Sequence, residues 1–132
     1  MAKVLSVKQP WLSAIEVGMK IVDVRTWKTD YRGPVLLHAS KEYDYTGEKA
    51  LGEERMAVLR KHGIRRGGIV ARATLEAMIP YLTKDMFGRQ HSAHLNPAEW
   101  WQKDTVGWVF SNVEPVQFIA VNGQLGLWDY GT

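Results

Sequence analysis

The chain has 132 residues, of which 45% are apolar, with no cysteine and a formal net charge of +3 at pH 7. This length and composition predict one domain over residues 1–132 with one buried core, and the lack of cysteine excludes disulfides and cysteine-ligated zinc. No apolar run reaches the roughly 20 residues of a membrane helix, and the first residues lack the apolar region of a secretory signal, so we expect a cytoplasmic protein without a membrane partner.

Charge is divided unevenly along the chain. Residues 1–72 contain 14 Lys and Arg against 8 Asp and Glu, whereas residues 73–132 contain 3 against 6. A basic half beside an acidic half would attract phosphate to one side of the molecule, although chance alone can also produce uneven charge. The chain also has six tryptophans, and a tryptophan either fills a core or offers a face on which a base can stack.

The first part of the chain predicts three short strands and one short helix. Apolar and β-branched residues predict strands over residues 4–7, 20–27 and 35–39. A helix over residues 11–17 follows a proline, which suits the first helical turn, and precedes a glycine, which suits a helix end.

The second part of the chain predicts a longer helix and four more strands. Residues 48–62 have helix-forming composition, and a glycine ends this helix. The predicted strands span residues 69–75, 106–110, 116–120 and 126–128, with Pro115 separating the middle two. Residues 86–105 are polar and turn-rich, with one helical turn after Pro97. Short strands without a βαβ series predict an α+β fold, a β-barrel of about five to seven strands with covering helices.

Four segments, in this order, resemble the ASCH family: Ser6–Trp11, Gly18–Trp27, Tyr31–Lys41 and Gly123–Trp128. The family pattern usually reads Gly-x-Lys-x-x-Glu-x-Arg; Gly18, Lys20 and Arg25 match it, and Asp23 stands in place of the glutamate. The resemblance implies a PUA-like barrel with a cleft beside this motif and an association with RNA or modified nucleosides. It also implies that some relatives cleave RNA and that a smaller branch hydrolyses acylated cytidine.

The charged residues of the second strand are the first candidates for a ligand site. Arg25 offers a planar fork that suits a phosphate or a base edge. On a regular strand Asp23 and Arg25 share one face and Lys20 lies on the other, so Lys20 reaches Asp23 only if the strand entry bends. A structural ion pair between Asp23 and Arg25 is the alternative interpretation.

Further candidates lie at strand ends. The backbone N–H groups at the start of the first helix could hold a phosphate, with Lys8 adding charge and Trp11 either stacking on a base or packing in the core. The predicted ligand- or RNA-binding residues are Lys8, Gln9, Trp11, Lys20, Arg25, Trp27, Ser40, Lys41 and Arg72.

A catalytic group is predicted from the same resemblance. In the amidohydrolase branch a lysine, a threonine and a glutamate act together; Lys20 matches the lysine, and Glu76 is the candidate glutamate. Asp23 stands at the threonine position and cannot serve as the same hydroxyl nucleophile. Lys20, Asp23 and Glu76 could still activate a water molecule, with a carboxylate as the base.

No motif in the chain predicts a metal or a cofactor. His91 and His94 form an H-x-x-H pair, but without further ligands an exposed polar loop is the better interpretation.

The leading hypothesis for the function is a domain that binds RNA, single-stranded nucleic acid or a modified nucleoside in a basic cleft. The alternatives are a ribonuclease or an amidohydrolase of acylated cytidine-type nucleosides in that cleft, and a protein-interaction domain for an acidic partner. The sequence leaves the ligand and the oligomeric state open.

Overall fold

The computed structural model describes residues 1–131. Its strands are β1 (Ala2–Gln9), β2 (Val22–Arg25), β3 (Gly33–Tyr43), β4 (Gly68–Pro80), β5 (Val106–Ala120) and β6 (Leu127–Tyr130). Its helices are α1 (Trp11–Glu16), α2 (Tyr45–Leu51), α3 (Glu53–His62), α4 (Lys84–Arg89) and α5 (His91–His94), with a 3₁₀ turn at Ala98–Trp100. Within this described range, no helix has both the length and the apolar character needed to cross a membrane.

The six strands form one mixed sheet in the order β2-β5-β4-β3-β1-β6. The β1–β3 pair is parallel and every other pair is antiparallel. The predicted α+β class and strand number are therefore confirmed. Closure into a barrel is not: among residues 1–131 the hydrogen-bonded series is open, with β2 and β6 as its edges.

Two predicted elements differ in extent from the structure. The helix predicted over residues 48–62 is two helices, because Gly52 adopts φ +85°, which ends α2 and begins α3. The two strands predicted on either side of Pro115 are one strand, β5. Pro115 lies opposite Ala71 where the β4–β5 register shifts, and such an irregularity tolerates a residue that has no N–H to donate.

Alternate residues of the central strands pack on opposite faces of the sheet. Leu5 and Leu37 belong to the main core, which four of the buried residues of α1 also enter. Val4, Ile69 and Trp128 form a smaller cluster on the other face. Burial of an aliphatic side chain of this size contributes roughly 1.5–3 kcal/mol, so packing on both faces stabilises the sheet.

One end of β1 has an open edge. The β1–β6 ladder ends at the pair Leu5–Leu127, so the backbone from Ser6 onward has no strand neighbour on that side. The guanidinium of Arg25, on the edge strand β2, donates from Nη2 to the Ser6 carbonyl oxygen at 2.6 Å. This bond brings together two strands that are not neighbours in the sheet, and the candidate site lies beside it.

Candidate functional site

A cleft of about 920 Å³ lies at the open edge of β1, between α1, β2 and the loop 121–126. It brings together six of the predicted site residues: Lys8, Trp11, Asp23, Arg25, Ser40 and Lys41. These residues come from β1, α1, β2 and β3, so the fold collects them from four separate elements.

The charged pair predicted on β2 is present in this cleft. Arg25 donates from Nε to an Asp23 carboxylate oxygen at 2.7 Å, as expected for residues that share a strand face. With Nη2 on the Ser6 carbonyl, Nη1 is the guanidinium nitrogen without a partner among residues 1–131. The guanidinium carbon also lies 5.7 Å from the Trp27 ring centroid and 5.8 Å from that of Trp108. Arg25 is therefore held rigidly, with one nitrogen left for a ligand.

Lys20 is buried below the cleft and is not among the residues that line it. Its ammonium donates to the His94 carbonyl oxygen at 2.5 Å and lies 4.7 Å from the Trp11 ring centroid. Burial lowers the pKa of Lys20 to about 8, although the nearby Asp23 carboxylate opposes the shift. Lys20 therefore supports Trp11 from below, and the structure gives it no direct path to a ligand in the cleft.

Two further predicted binding residues have packing roles. Gln9 is buried; its amide donates to the Arg65 carbonyl oxygen at 2.8 Å and accepts from the Ser13 N–H at 2.9 Å. Trp27 packs edge-on against Trp108 with ring centroids 4.6 Å apart. Neither residue lines the cleft.

The two predicted site residues on β4 also lie outside the cleft. Arg72 is exposed and pairs with Glu114 at 2.6 Å, beside a second cavity of about 690 Å³. Glu76 is exposed and accepts a short hydrogen bond from the Ser111 hydroxyl, whereas its neighbour Leu75 belongs to the main core. The structure therefore places Lys20 and Asp23 near each other, and Glu76 does not join them.

A hydrogen-bonded histidine in the cleft was missed by the sequence analysis. Ser6 Oγ lies 3.1 Å from His38 Nδ1, and His38 Nε2 lies 2.7 Å from the Val121 carbonyl oxygen. Because a carbonyl only accepts, Nε2 carries the proton and Nδ1 accepts from Ser6. Trp128 donates from Nε1 to the same hydroxyl at 3.2 Å. The one signal available was His38 as a polar residue inside the apolar strand 35–39.

The segment predicted as a polar loop, 86–105, supplies the opposite wall of the cleft through Asn96, Trp100 and Gln102. Trp100 lies edge-on to Trp11, with ring centroids 6.3 Å apart, and is 37% exposed. Trp11 in turn donates from Nε1 to Asp44 at 2.8 Å. The structure thus lines part of the cleft with two indoles. Trp11 was a predicted binding residue, whereas Trp100 was not, and its only signal was its place beside Trp101 in a polar segment.

His94 anchors this wall, and the prediction that it lies in an exposed loop is wrong. It is buried, stacks on Phe87 with ring centroids 4.1 Å apart, and bonds from Nε2 to the Phe87 carbonyl oxygen at 2.7 Å. Its Nδ1 accepts from the Asn96 N–H at 2.9 Å, and its carbonyl accepts from the Asn96 side chain at 2.8 Å. Burial lowers the pKa of His94 to about 4, so it is neutral at pH 7.

The charge within the cleft is balanced. Lys8 pairs with Glu42 at 3.4 Å, Arg25 pairs with Asp23, and Asp44 accepts from Trp11 and from the N–H groups of residues 46 and 47. The cations and carboxylates that line it are Lys8, Arg25, Lys41, Asp23, Glu42 and Asp44. The basic cleft expected from the sequence is therefore a polar cleft with as many carboxylates as cations, and Lys41 is its cation without an ion pair among residues 1–131.

Comparison with known proteins supplies the family. The ASCH domain model matches residues 5–120. The crystal structure of ASCH from Zymomonas mobilis has a TM-score of 0.61 and 12% sequence identity, covering 92% of this chain and 73% of that chain. Two mutants of the Zymomonas mobilis protein give TM-scores of 0.62 at 12% and 13% identity, covering 91% and 89% of this chain and 74% of theirs. At such identities the likeness shows the fold alone.

No curated protein has a matching sequence. The family match nevertheless spans nearly the whole chain and includes the segment from Gly18 to Arg25 that carries the Lys-x-x-Asp-x-Arg motif. The chain belongs to the ASCH domain family.

Proposed function

We propose that this domain binds single-stranded RNA, with a nucleobase in the cleft. The observation that carries the proposal is the wall formed by Trp11 and Trp100 beside the amide side chains of Asn96 and Gln102. A base stacked on an aromatic face gains about 1–3 kcal/mol, and side-chain amides have the paired donor and acceptor that read a base edge. An RNA-related role is general among ASCH domains, which supports the same assignment.

The paired charges of the cleft agree with this proposal. A base is neutral, so a site that recognises it needs fixed donors and acceptors rather than an excess of positive charge. Arg25 has its guanidinium fixed by Asp23 and by the Ser6 carbonyl, which leaves Nη1 for a base edge or a phosphate. The polar loop 121–126, with Asn122 and Gln124, adds further amides on the other side.

Trp100 provides the sharpest test, because it is partly exposed and its side chain makes no hydrogen bond that the fold needs. Trp100→Ala should lower the affinity for a short single-stranded RNA by about tenfold or more, measured by fluorescence anisotropy of a labelled strand. Trp100→Phe keeps an aromatic face and should retain most of the affinity. Arg72→Ala, at an exposed arginine that does not line the cleft, is the control. If Trp100→Ala binds as tightly as wild type, the base does not occupy this cleft.

A second candidate function, hydrolysis in the same cleft, is favoured by one observation. The Asp23 carboxylate lines the cleft, where it could accept a proton from water. The ammonium of Lys20 lies beneath it, close enough to interact with its charge, and burial lowers the pKa of Lys20 to about 8. The substrates to test are RNA and acylated cytidine nucleosides, followed by product analysis. Lys20→Met keeps the side-chain length and should abolish turnover, whereas Glu76→Gln should not. If the wild-type protein turns over neither substrate, the hydrolase hypothesis is rejected and RNA binding remains the proposed function.

A further inference from the structure

A surface next to the cleft combines exposed cations with one exposed and one half-buried tyrosine ring. It consists of Lys41, Tyr43, Tyr45, Arg65 and Arg66, and we refer to it as the rim surface. Lys41 also lines the cleft, and Arg66 donates to the Lys41 carbonyl oxygen at 3.0 Å. The rim surface therefore continues directly from the cleft, along the end of β3 and the turn that precedes β4.

The cations of the rim surface have no carboxylate partner. Within residues 1–131, Lys41, Arg65 and Arg66 form no ion pair at 4.0 Å or less, and all three are exposed. Lys41 donates to the amide oxygen of Asn122 at 3.0 Å, which leaves its charge uncompensated. Three unpaired cations beside a cleft of balanced charge form a site for an anion with several negative groups.

The aromatic rings of the rim surface are arranged for stacking. Tyr45 is 69% exposed, and its ring centroid lies 4.8 Å from that of Tyr43. The Arg66 guanidinium carbon lies 5.6 Å from the Tyr43 centroid, and that of Arg65 lies 5.5 Å from Phe118. A tyrosine ring that is exposed to this degree contributes little to the packing of the core. An exposed ring next to guanidinium groups can instead stack on an unpaired base.

The rim surface is fixed to the core of the domain. The buried Gln9 side chain holds the Arg65 carbonyl oxygen at 2.8 Å, and the Gly67 N–H donates to the Ala39 carbonyl oxygen at 2.7 Å. The nearby carboxylates are already engaged: Glu42 pairs with Lys8 and Asp44 caps α2. Glu48, beside Tyr43, pairs with Arg60, and Glu16, near Arg65, lies 3.5 Å from a ring nitrogen of His62. The backbone that carries Arg65 and Arg66 is therefore fixed to the core, and the positive field of the rim surface is only partly offset by neighbouring carboxylates.

We infer that the rim surface is a second binding site for the same strand: it holds the phosphates and one or more bases of single-stranded RNA next to the base in the cleft. The inference rests on the proposed function and extends it, because it says where the phosphates and the bases outside the cleft are bound. Lys41 and Arg66 contact phosphates, and the Tyr43–Tyr45 pair stacks a neighbouring base. A free nucleoside would reach the cleft alone and would gain nothing from the rim surface.

The test compares a nucleoside monophosphate with a single-stranded RNA of about eight nucleotides, on wild type and on the double variant Lys41→Ala with Arg66→Ala. Loss of two phosphate contacts should weaken RNA binding roughly 25-fold at 0.1 M salt and lower the salt slope by about 1.4, because each contributes about 0.7. Monophosphate affinity should change by less than about twofold. Tyr45→Ala should weaken RNA binding without changing the salt slope.

Arg32→Ala is the matched control, because this exposed arginine also lacks a carboxylate partner and lies at the other end of β3, roughly 30 Å along the strand from Lys41. If RNA binds no more tightly than the monophosphate, or if Arg32→Ala weakens RNA binding as much as Arg66→Ala does, the rim surface is not an RNA site. Equal loss of binding to double-stranded RNA or to heparin would also overturn the inference, because it would indicate general attraction of polyanions. Absence of all binding, including of the monophosphate, would instead refute the proposed function.

Discussion

The arginine of the cleft and those of the rim surface differ in burial and in ion pairing. In the cleft Arg25 is largely buried, and its guanidinium bonds to Asp23 and to a backbone carbonyl. On the rim surface, Arg65 and Arg66 are exposed and form no ion pair with a described residue. Burying an unpaired charge is costly, whereas an exposed charge remains hydrated. If the domain binds RNA as we propose, the cleft would select a base by its geometry, and the rim surface would attract phosphates over a longer distance.

The strongest test of this difference is removal of the buried cation. Arg25→Ala leaves the Asp23 carboxylate and the Ser6 carbonyl without their partner at a site with little access to water. We expect the free energy of unfolding to fall by about 3–5 kcal/mol, measured by urea denaturation. Arg72→Ala, which breaks an exposed pair with Glu114, should cost less than about 1 kcal/mol. Similar losses at both positions would show that the cleft is hydrated like a surface.

The buried ammonium of Lys20 should make the free energy of unfolding depend on pH, which the exposed cations of the rim surface should not do. Its pKa of about 8 in the folded protein is below the ordinary value of 10.5, so the unfolded chain binds this proton more tightly. The free energy of unfolding should therefore rise as pH increases from about 8 to 10.5, by roughly 3 kcal/mol in total. Lys20→Met removes this proton, so the difference in stability between wild type and variant should change across that range. A constant difference from pH 7 to 10.5 would contradict the burial of a charged Lys20.

The smallest effect is expected for stability at the rim surface. Arg66→Ala removes a solvated guanidinium that bonds only to the Lys41 carbonyl and lies over Tyr43. Its free energy of unfolding should stay within about 0.5 kcal/mol of wild type in urea denaturation. A loss comparable to that of Arg25→Ala would mean that the rim surface is part of the folding core.

Local patterns predicted much of the site, because strand alternation and adjacency act over a few residues. Asp23 and Arg25 share a face for that reason, and Lys8 and Trp11 lie together at the first strand–helix turn. The depth of Lys20 was not predictable, because it depends on the His94 carbonyl, which lies 74 positions away. The partner of His38 in the loop 121–126 is set by strand order, which short-range periodicity does not encode.

The fold was predicted in the same uneven way. The strands over residues 35–39 and 69–75 were recognised from their composition, but their full lengths depend on pairing across the sheet. The break at Gly52 was missed because helix propensity in the residues around it is high, and a single glycine costs only about 1 kcal/mol there. The open strand order follows from long-range contacts, which the sequence pattern of a barrel does not distinguish.

The bond from Arg25 to the Ser6 carbonyl acts as a clasp between β2, at one edge of the sheet, and β1, four positions away in the strand order. A ligand bound to Nη1 of Arg25 would also stabilise the bond to the Ser6 carbonyl, because it restricts the motion of the Arg25 side chain. Ligand binding would then slow the separation of β1 and β2 and make the edge of the sheet more rigid. If Arg25 binds the ligand as we propose, the same side chain would both contact the ligand and connect β2 to β1.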